Sequence, residues 1–255
     1  MRQRPIAVFD SGVGGISVLR ALRRELPGEN FLYFGDSANA PYGSRTTQDI
    51  RRLTMAHAAW LLDEAKALVL ACNTATSAAI DDLRAQYPDR IIIGIEPALK
   101  PALRAFPGGR IVVMATEATL REQKFAALMA QYSNDCTIVK CPCPGLVEFV
   151  ERGELHGAAV EQEVRRRLAP ALTPRPDAVV LGCTHFPFLK DAIRTVAGQE
   201  LCFFDGAEGT ARETKRRLED HGLLLPKTAG GQVTLKNSAA APALTALEWQ
   251  LLNEP

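Results

Sequence analysis

The sequence carries almost no excess charge. Thirty Lys and Arg stand against twenty-nine Asp and Glu, a net of +1. No global field therefore draws in DNA, RNA or an anionic membrane, and any partner must be recognised locally. Long apolar runs are missing as well. The longest, such as "IIIGI" and "AVVLG", fall well short of a membrane span, and the basic opening "MRQRPIAVFD" lacks a signal peptide's apolar stretch and small-residue cleavage site. A cytoplasmic location, with no membrane and no nucleic-acid partner, is the expectation. Cysteine is sparse: Cys72, Cys136, Cys141, Cys143, Cys183 and Cys202 are too few and too scattered for a disulfide scaffold, which leaves free thiols in a reducing compartment. Cys141 and Cys143 in "CPCP" have no C-x-x-C or His pair nearby to complete a zinc set, so no metal is expected and both read as buried thiols. A Walker sequence and a G-x-G-x-x-G pattern are absent too. "FDSGVGG", residues 9 to 15, puts three glycines after a strand, but Asp10 would repel a phosphate, and nucleotide binding is set aside.

The 255 residues present suffice for one large domain or two modest ones, and 47% hydrophobic with 23% charged residues is the composition of a globular protein. Short β-branched runs alternate with amphipathic segments: "IAVF", "GISVLRALRREL", "NFLYFG", a helical stretch from about Thr47 to Glu64, "ALVLAC", "TSAAIDDLRAQY", "IIIGI". This predicts an α/β fold with mostly parallel sheets. From Arg110 the series starts again. "IAVFDS" from Ile6 corresponds to "IVVMAT" from Ile111, "LVLACNTAT" around Cys72 to "VVLGCTHFP" around Cys183, and "IIIGI" to "LCFFD" near Leu201. Two similar, pseudo-symmetric α/β units follow, joined near residues 96 to 109, where Pro and Gly cluster. The tail reads as a helix from "GTARETKRRLED" and a second helix in "NSAAAPALTALEWQLL", with Trp249 as a packing residue.

Chemistry concentrates where strands end. In open α/β sheets ligands bind beyond the carboxyl ends of the strands, against helix N-termini. Cys72, followed by capping hydroxyls, and Cys183, followed by Pro187 as a first helical residue, both fall there. Making a free thiol mostly thiolate at pH 7 needs roughly 2 kcal/mol, more than a helix terminus supplies in most settings. His185, two residues beyond Cys183, or a substrate ammonium would provide the rest. A cysteine hydrolase would use one thiol and leave the other idle. A metal site needs more soft ligands, and a thioredoxin-type pair needs C-x-x-C. Inverting a carbon centre without a cofactor uses both thiols: a base on one face takes a proton and an acid on the other returns one. Asp10 serves to orient a catalytic residue, to hold an ammonium, or to cap a helix, with Ser11 as donor to a carboxylate. "GDSANAPYG", residues 35 to 43, is either a surface connection or a crevice wall bearing Tyr42 and Gly43. His57 reads as part of a helix face, and His156 and His221 carry no signal.

"FDSGVGG", "GDSANAPYG", "LACNTAT" and "LGCTHFP", in that order from Phe9 to Pro187, resemble the cofactor-independent glutamate racemases, which supply D-glutamate for bacterial peptidoglycan. The resemblance implies two domains, residues 1–97 with 208–255 and residues 98–207, with the active site in the cleft between them. It implies Cys72 and Cys183 as acid/base thiols assisted by Asp10 and His185. A further acid falls on Glu151, with Glu148 one turn earlier as the alternative. Substrate contacts map to Asp10, Ser11, Pro41, Tyr42, Gly43, Asn73, Thr74, Thr184 and His185, and to Thr116 and Thr119, where "MATEATL" departs from the family's usual Gly-Thr pattern. The expected ligands are L- and D-glutamate, with no cofactor and no metal, and the expected assembly is a homodimer. The tail after Leu225 diverges, and an N-terminal extension linked in some relatives to activation by a cell-wall precursor is lacking, so no such activation is expected. The competing readings are an aspartate or hydantoin racemase on the same scaffold and a non-catalytic binding module, for which the near-neutral charge offers no support.

Overall fold

A computed structural model describes residues 1–132 and 136–254. Residues 133–135 and Pro255, the last residue of the expected first domain, lie outside the described residues. The strands are β1 (Ile6–Asp10), β2 (Phe31–Gly35), β3 (Ala67–Leu70), β4 (Ile91–Gly94), β5 (Arg110–Ala115), β6 (Thr137–Pro142), β7 (Ala178–Leu181), β8 (Cys202–Asp205) and β9 (Val233–Asn237). They form two sheets, ordered β4-β3-β1-β2-β9 and β6-β5-β7-β8, and every pairing is parallel.

Read backwards, the second sheet runs β8-β7-β5-β6, the order of the first without β9. Each sheet begins in its middle, adds a strand on one side and then reverses to the other. The reversal falls between β1 and β3 and between β5 and β7, where loops leave the carboxyl ends in opposite directions and open a crevice. Asp10 ends β1 and Cys72 follows β3, while Thr116 follows β5 and Cys183 follows β7. The repeated series of runs in the sequence is thus a repeated topology.

Strand alternation decides which side chains form which core. Ile6 and Val8 share one apolar cluster with Val112, Met114, Val179 and Leu181 of the second sheet. Their neighbours Ala7 and Phe9 face the other way, with Leu68 and Leu70. Ile111 and Val113 join Ala178 and Val180 on the far face of the second sheet. Both faces of the central strands are covered, which is why they read as continuous apolar runs.

The expected helix Thr47–Glu64 forms over that span. Thr46 caps it, accepting from the Asp49 N–H at 3.1 Å, with Asp49 favourable in the first turn. The Pro/Gly-rich stretch 96–109 contains a helix, Leu99–Ala105, whose Leu99, Ala102 and Leu103 pack on the second sheet's outer core. Helix Ala207–Asp220 packs instead on helix Ile16–Glu25 beneath the first sheet.

Two features of the tail differ from expectation. The strand β9, "VTLKN", pairs with β2 at the sheet edge and is only half-buried, so no apolar run announces it. Trp249 is 41% exposed rather than packed. Helix Pro242–Asn253 buries Glu248, Leu251 and Leu252, and Trp249, rotated by one residue from Glu248, falls off that face. Among the described residues no helix is long and apolar enough to cross a membrane.

Candidate active site

Cys72 and Cys183 open onto one small cavity, lined also by Ser11, Pro41, Tyr42, Gly43, Asn73, Thr74, Thr116, Val147, Thr184 and His185. Its volume is about 10 Å³, room for about one water. An amino-acid-sized ligand enters only if the walls move apart.

Cys72 is itself the cap of helix Asn73–Gln86. Its sulfur accepts from the Ala75 N–H at 3.4 Å and its thiol donates to Ser11 Oγ at 3.5 Å. The expected capping hydroxyls lie inside the helix instead. Thr74 Oγ1 is 3.0 Å from both Thr116 and Thr119 Oγ1, tying this helix to the start of helix Glu117–Arg121 after β5. Burial, reinforced by the Asp10 charge, pushes the Cys72 thiol up to about 12, with Ser11 and the Ala75 N–H pulling back. The helix terminus alone does not ionise it, as its modest magnitude implies.

Cys183 sits differently. Its Sγ lies 3.6 Å from His185 Nδ1, and His185 Nε2 lies 2.7 Å from Glu151 Oε1. Pro187 enters a 3-10 turn, Phe186–Leu189, before helix Lys190–Ala197 begins. Burial works against the imidazolium, but the bonds to Cys183 and Glu151 outweigh it and hold its pKa well above the ordinary value. Glu151 is likewise pushed up by burial but lowered more by His185, the Val13 N–H and the Ser37 hydroxyl. The two thiols thus share a cavity and differ in company: one a hydroxyl and a neutral amide, the other a charged imidazole–carboxylate pair.

Several expected residues lie just behind the wall. Asp10 is fully buried, accepting from the Gly12 N–H and the Thr184 hydroxyl, both at 3.0 Å. It acts on the local turn and on Thr184 rather than lining the space, and burial raises its pKa against the pull of His185 and those two donors. Thr119 stands behind Thr74 and Thr116. Of the two glutamates, Glu151 reaches His185, whereas Glu148 faces a neighbouring pocket beside Cys143 and Pro144.

The three-glycine loop serves these residues and not a phosphate. A Cβ on Gly12 would collide with the Glu151 carboxylate, and one on Gly14 with the His185 ring, so "GVGG" leaves room for an acid and an imidazole from the other half of the chain. The loop after β2 folds inward. Tyr42 is 1% exposed and donates to Asp36 Oδ2 at 2.7 Å, alongside Asn39 Nδ2. His57, read as a plain helix-face residue, reaches Asp36 at 3.2 Å and packs against Phe34 and Phe9. Burial pushes Asp36 up, but donors from His57, Tyr42 and Asn39 hold it at about 2.

Val147, Ser37 and Val13 escaped the sequence reading. Val147 carries only a helical apolar signal, and Ser37 sits in plain sight within "GDSANAPYG". Cys141 and Cys143 are buried with sulfurs 3.7 Å apart. Among the described residues no group of three His, Cys, Asp or Glu could hold a metal ion.

Comparison with known proteins agrees with this geometry. A family model for Asp/Glu/Hydantoin racemase matches residues 11–214. A glutamate racemase of Clostridium perfringens is 46% identical over 253 residues, covering 99% of this chain and 97% of the relative. The crystal structure of glutamate racemase from Thermus thermophilus in complex with β-chloro-D-alanine is 37% identical, with a TM-score of 0.80 over 99% of this chain and 94% of that one. That from Francisella tularensis in complex with D-glutamate is 25% identical, with a TM-score of 0.86 over 100% of this chain and 95% of that one. With two parallel sheets in repeated order, two thiols on one cavity and relatives of this closeness along its length, the chain belongs to the Asp/Glu/hydantoin racemase family of isomerases.

Proposed function

We propose that this racemase interconverts L- and D-glutamate by proton transfer at Cα between two thiols, without a cofactor. The observation that carries the reading is the single cavity shared by Cys72 and Cys183, and the curated relatives named glutamate racemase support the substrate. In one direction Cys183, as thiolate beside the His185 imidazolium, takes the Cα proton. The Cα–H bond breaks, an S–H bond forms, and the electron pair stays on the substrate. Cys72, held neutral by burial, then delivers its proton to the opposite face and becomes the thiolate. The reverse reaction exchanges the roles. Asp10 and Glu151 act through Thr184 and His185. Ser11, Asn73, Thr74, Thr116 and Thr184 present donors to the substrate's carboxylates, with Pro41, Tyr42 and Gly43 closing one wall and Thr119 steadying Thr74.

The division into residues 1–97 with 208–255 and residues 98–207 belongs to the same reading, because each unit then supplies one thiol and their separation would open the closed cavity. So do supply of D-glutamate for peptidoglycan, with its role in cell-wall biogenesis and cell shape, a cytoplasmic location and a homodimer. The test is isotope exchange. In deuterated buffer, either enantiomer of glutamate should gain deuterium at Cα without added pyridoxal phosphate or metal, and aspartate should do so far more slowly. A folded protein that exchanges neither glutamate enantiomer would end the proposal, and faster turnover of aspartate would reassign the substrate.

A further inference from the structure

Behind His185 an unbroken line of hydrogen bonds runs out of the site to the last helix of the chain. Its members are Glu151, Ser37 in the loop after β2, Asn237 at the end of β9, and Glu248 on helix Pro242–Asn253. Donor counting fixes its direction. Asn237 Oδ1 accepts from the Ala239 N–H at 3.0 Å, so the other end of its amide, Nδ2, donates to Ser37 Oγ at 3.0 Å and to Glu248 Oε1 at 2.8 Å. A serine hydroxyl has one proton. With Asn237 supplying one bond to it, Ser37 sends that proton to Glu151 Oε2 at 3.0 Å. Glu151 Oε1 is then left for the Val13 N–H and His185 Nε2–H, both at 2.7 Å. His185 Nδ1 is consequently the nitrogen that faces the Cys183 sulfur.

We propose that Ser37, Asn237 and Glu248 are positioning residues: their chain of hydrogen bonds fixes which oxygen of Glu151 meets His185, and so sets the Cys183–His185 pair for proton transfer. The proposal rests on the reading of Cys183 as an acid/base thiol.

Glu248 is the strongest sign of purpose. It is 0% exposed beside the buried Leu251 and Leu252, a place where an apolar residue costs nothing and a carboxyl must be compensated. Among the described residues its Oε1 has Asn237 as partner and its Oε2 has none. The groups facing it are neutral Asn237 from β9, the Glu151 carboxylate from helix Leu146–Glu151, and the Tyr33 phenol of β2, which donates to Gly12 O. Burial lifts its pKa to about 7, Asn237 pulls it down, and the Glu151 charge adds to the rise, so its charge changes in the range where the enzyme would work. The arrangement also gives β9 a task, since a strand at the sheet edge delivers an amide that joins the C-terminal helix to the site.

The experiment measures kcat, KM and the pH profile of kcat/KM for glutamate in wild type, Ser37→Ala, Ser37→Thr, Glu248→Gln and the Ser37→Ala/Glu248→Gln pair, with thermal unfolding of each. Ser37→Ala should lower kcat about tenfold with KM within about twofold, by loss of one bond to a charged group, and Ser37→Thr, which keeps the hydroxyl, should restore most of it. Glu248→Gln keeps the shape and an acceptor for Asn237 but loses the charge, and should erase an inflection near pH 7. The pair should behave as Ser37→Ala alone, because the chain is already cut. Multiplying effects in the pair, an inflection that survives Glu248→Gln, or a Ser37→Ala enzyme with wild-type kcat would each overturn the relay. Should Glu248→Gln fail to fold, the Ser37 variants alone decide. If the wild type itself does not racemise glutamate, the underlying reading has failed; if it does and the variants match it, only the relay has.

Discussion

Replacing Gly12 by Ala should disable the site without unfolding the protein. The new methyl would overlap Glu151 Oε1 and stand 2.6 Å from its Cδ and 3.0 Å from Oε2. Gly12 is not among the glycines at positive φ, so the backbone accepts alanine, and the atoms in the way are the far end of a flexible side chain. The carboxylate swings off, giving up the Val13 N–H and His185 Nε2, each at 2.7 Å. A hydrogen bond to a charged group contributes about 1.5–3 kcal/mol. On the proposed mechanism the His185 bond matters because it holds the imidazolium beside Cys183. At about 1.4 kcal/mol per factor of ten, losing it cuts the ion-paired form, and kcat with it, by about 10- to 100-fold.

The assay is polarimetric racemisation of glutamate, run beside thermal unfolding and a pH profile. In a Glu151→Gln background the same Gly12→Ala change should cost little more, since both act through one contact. A Gly12→Ala enzyme within about twofold of wild-type kcat, or effects that multiply in the double variant, would refute the view that this glycine exists to admit Glu151.

Three further outcomes follow from the same contacts. Cys72→Ala and Cys183→Ala should each lower racemisation by about 10²–10⁴-fold, the usual span for a proton-transfer group; a single variant that stays fully active would break the two-thiol scheme. Asp36, held at about 2 against an ordinary 3.8, adds about 2 kcal/mol of stability that is complete above its unfolded value and is lost as pH falls through 2. Tyr42→Phe removes one of its donors and should move the acid-unfolding midpoint upward, read by circular dichroism; an unchanged midpoint would count against the network. Lys66→Met strands the Glu29 carboxylate, now 2.5 Å from the ammonium with both side chains fully buried, and should cost about 3–5 kcal/mol in chemical denaturation, a loss below about 1 kcal/mol refuting the pair's importance.

The parts of the site legible in the sequence are those tied to strand ends. Cys72 and Cys183 each follow an apolar run and precede polar residues, and that pattern survives in one dimension because strand, turn and helix are local. The glycines of "FDSGVGG" were visible too, but their purpose was not. What Gly12 and Gly14 make room for arrives from residues 151 and 185, and no local pattern names a partner that distant. The contact made by His57 is hidden for a related reason: its helix is amphipathic whichever way the ring is used, and only the inward fold of the loop after β2 brings Asp36 to it. The strand β9 escaped because an edge strand half-open to solvent needs no apolar run. Glu248 escaped because a buried carboxyl in a helix looks, in sequence, like any exposed one.

The doubled fold gives the cavity two sulfurs at equivalent places but unequal surroundings. Cys72 has Ser11 and a helix amide, while Cys183 has His185 and, behind it, Glu151. Since L and D forms of one amino acid have equal free energy, the equilibrium constant is unity, and kcat/KM must be the same in both directions however lopsided the site is. The asymmetry therefore falls on kcat and KM separately. Burial pushes the Cys72 thiol up to about 12, while an imidazolium is favoured beside Cys183. On the two-thiol proposal the two enantiomers meet differently supported sulfurs, and unequal kcat values at equal kcat/KM are the expected outcome.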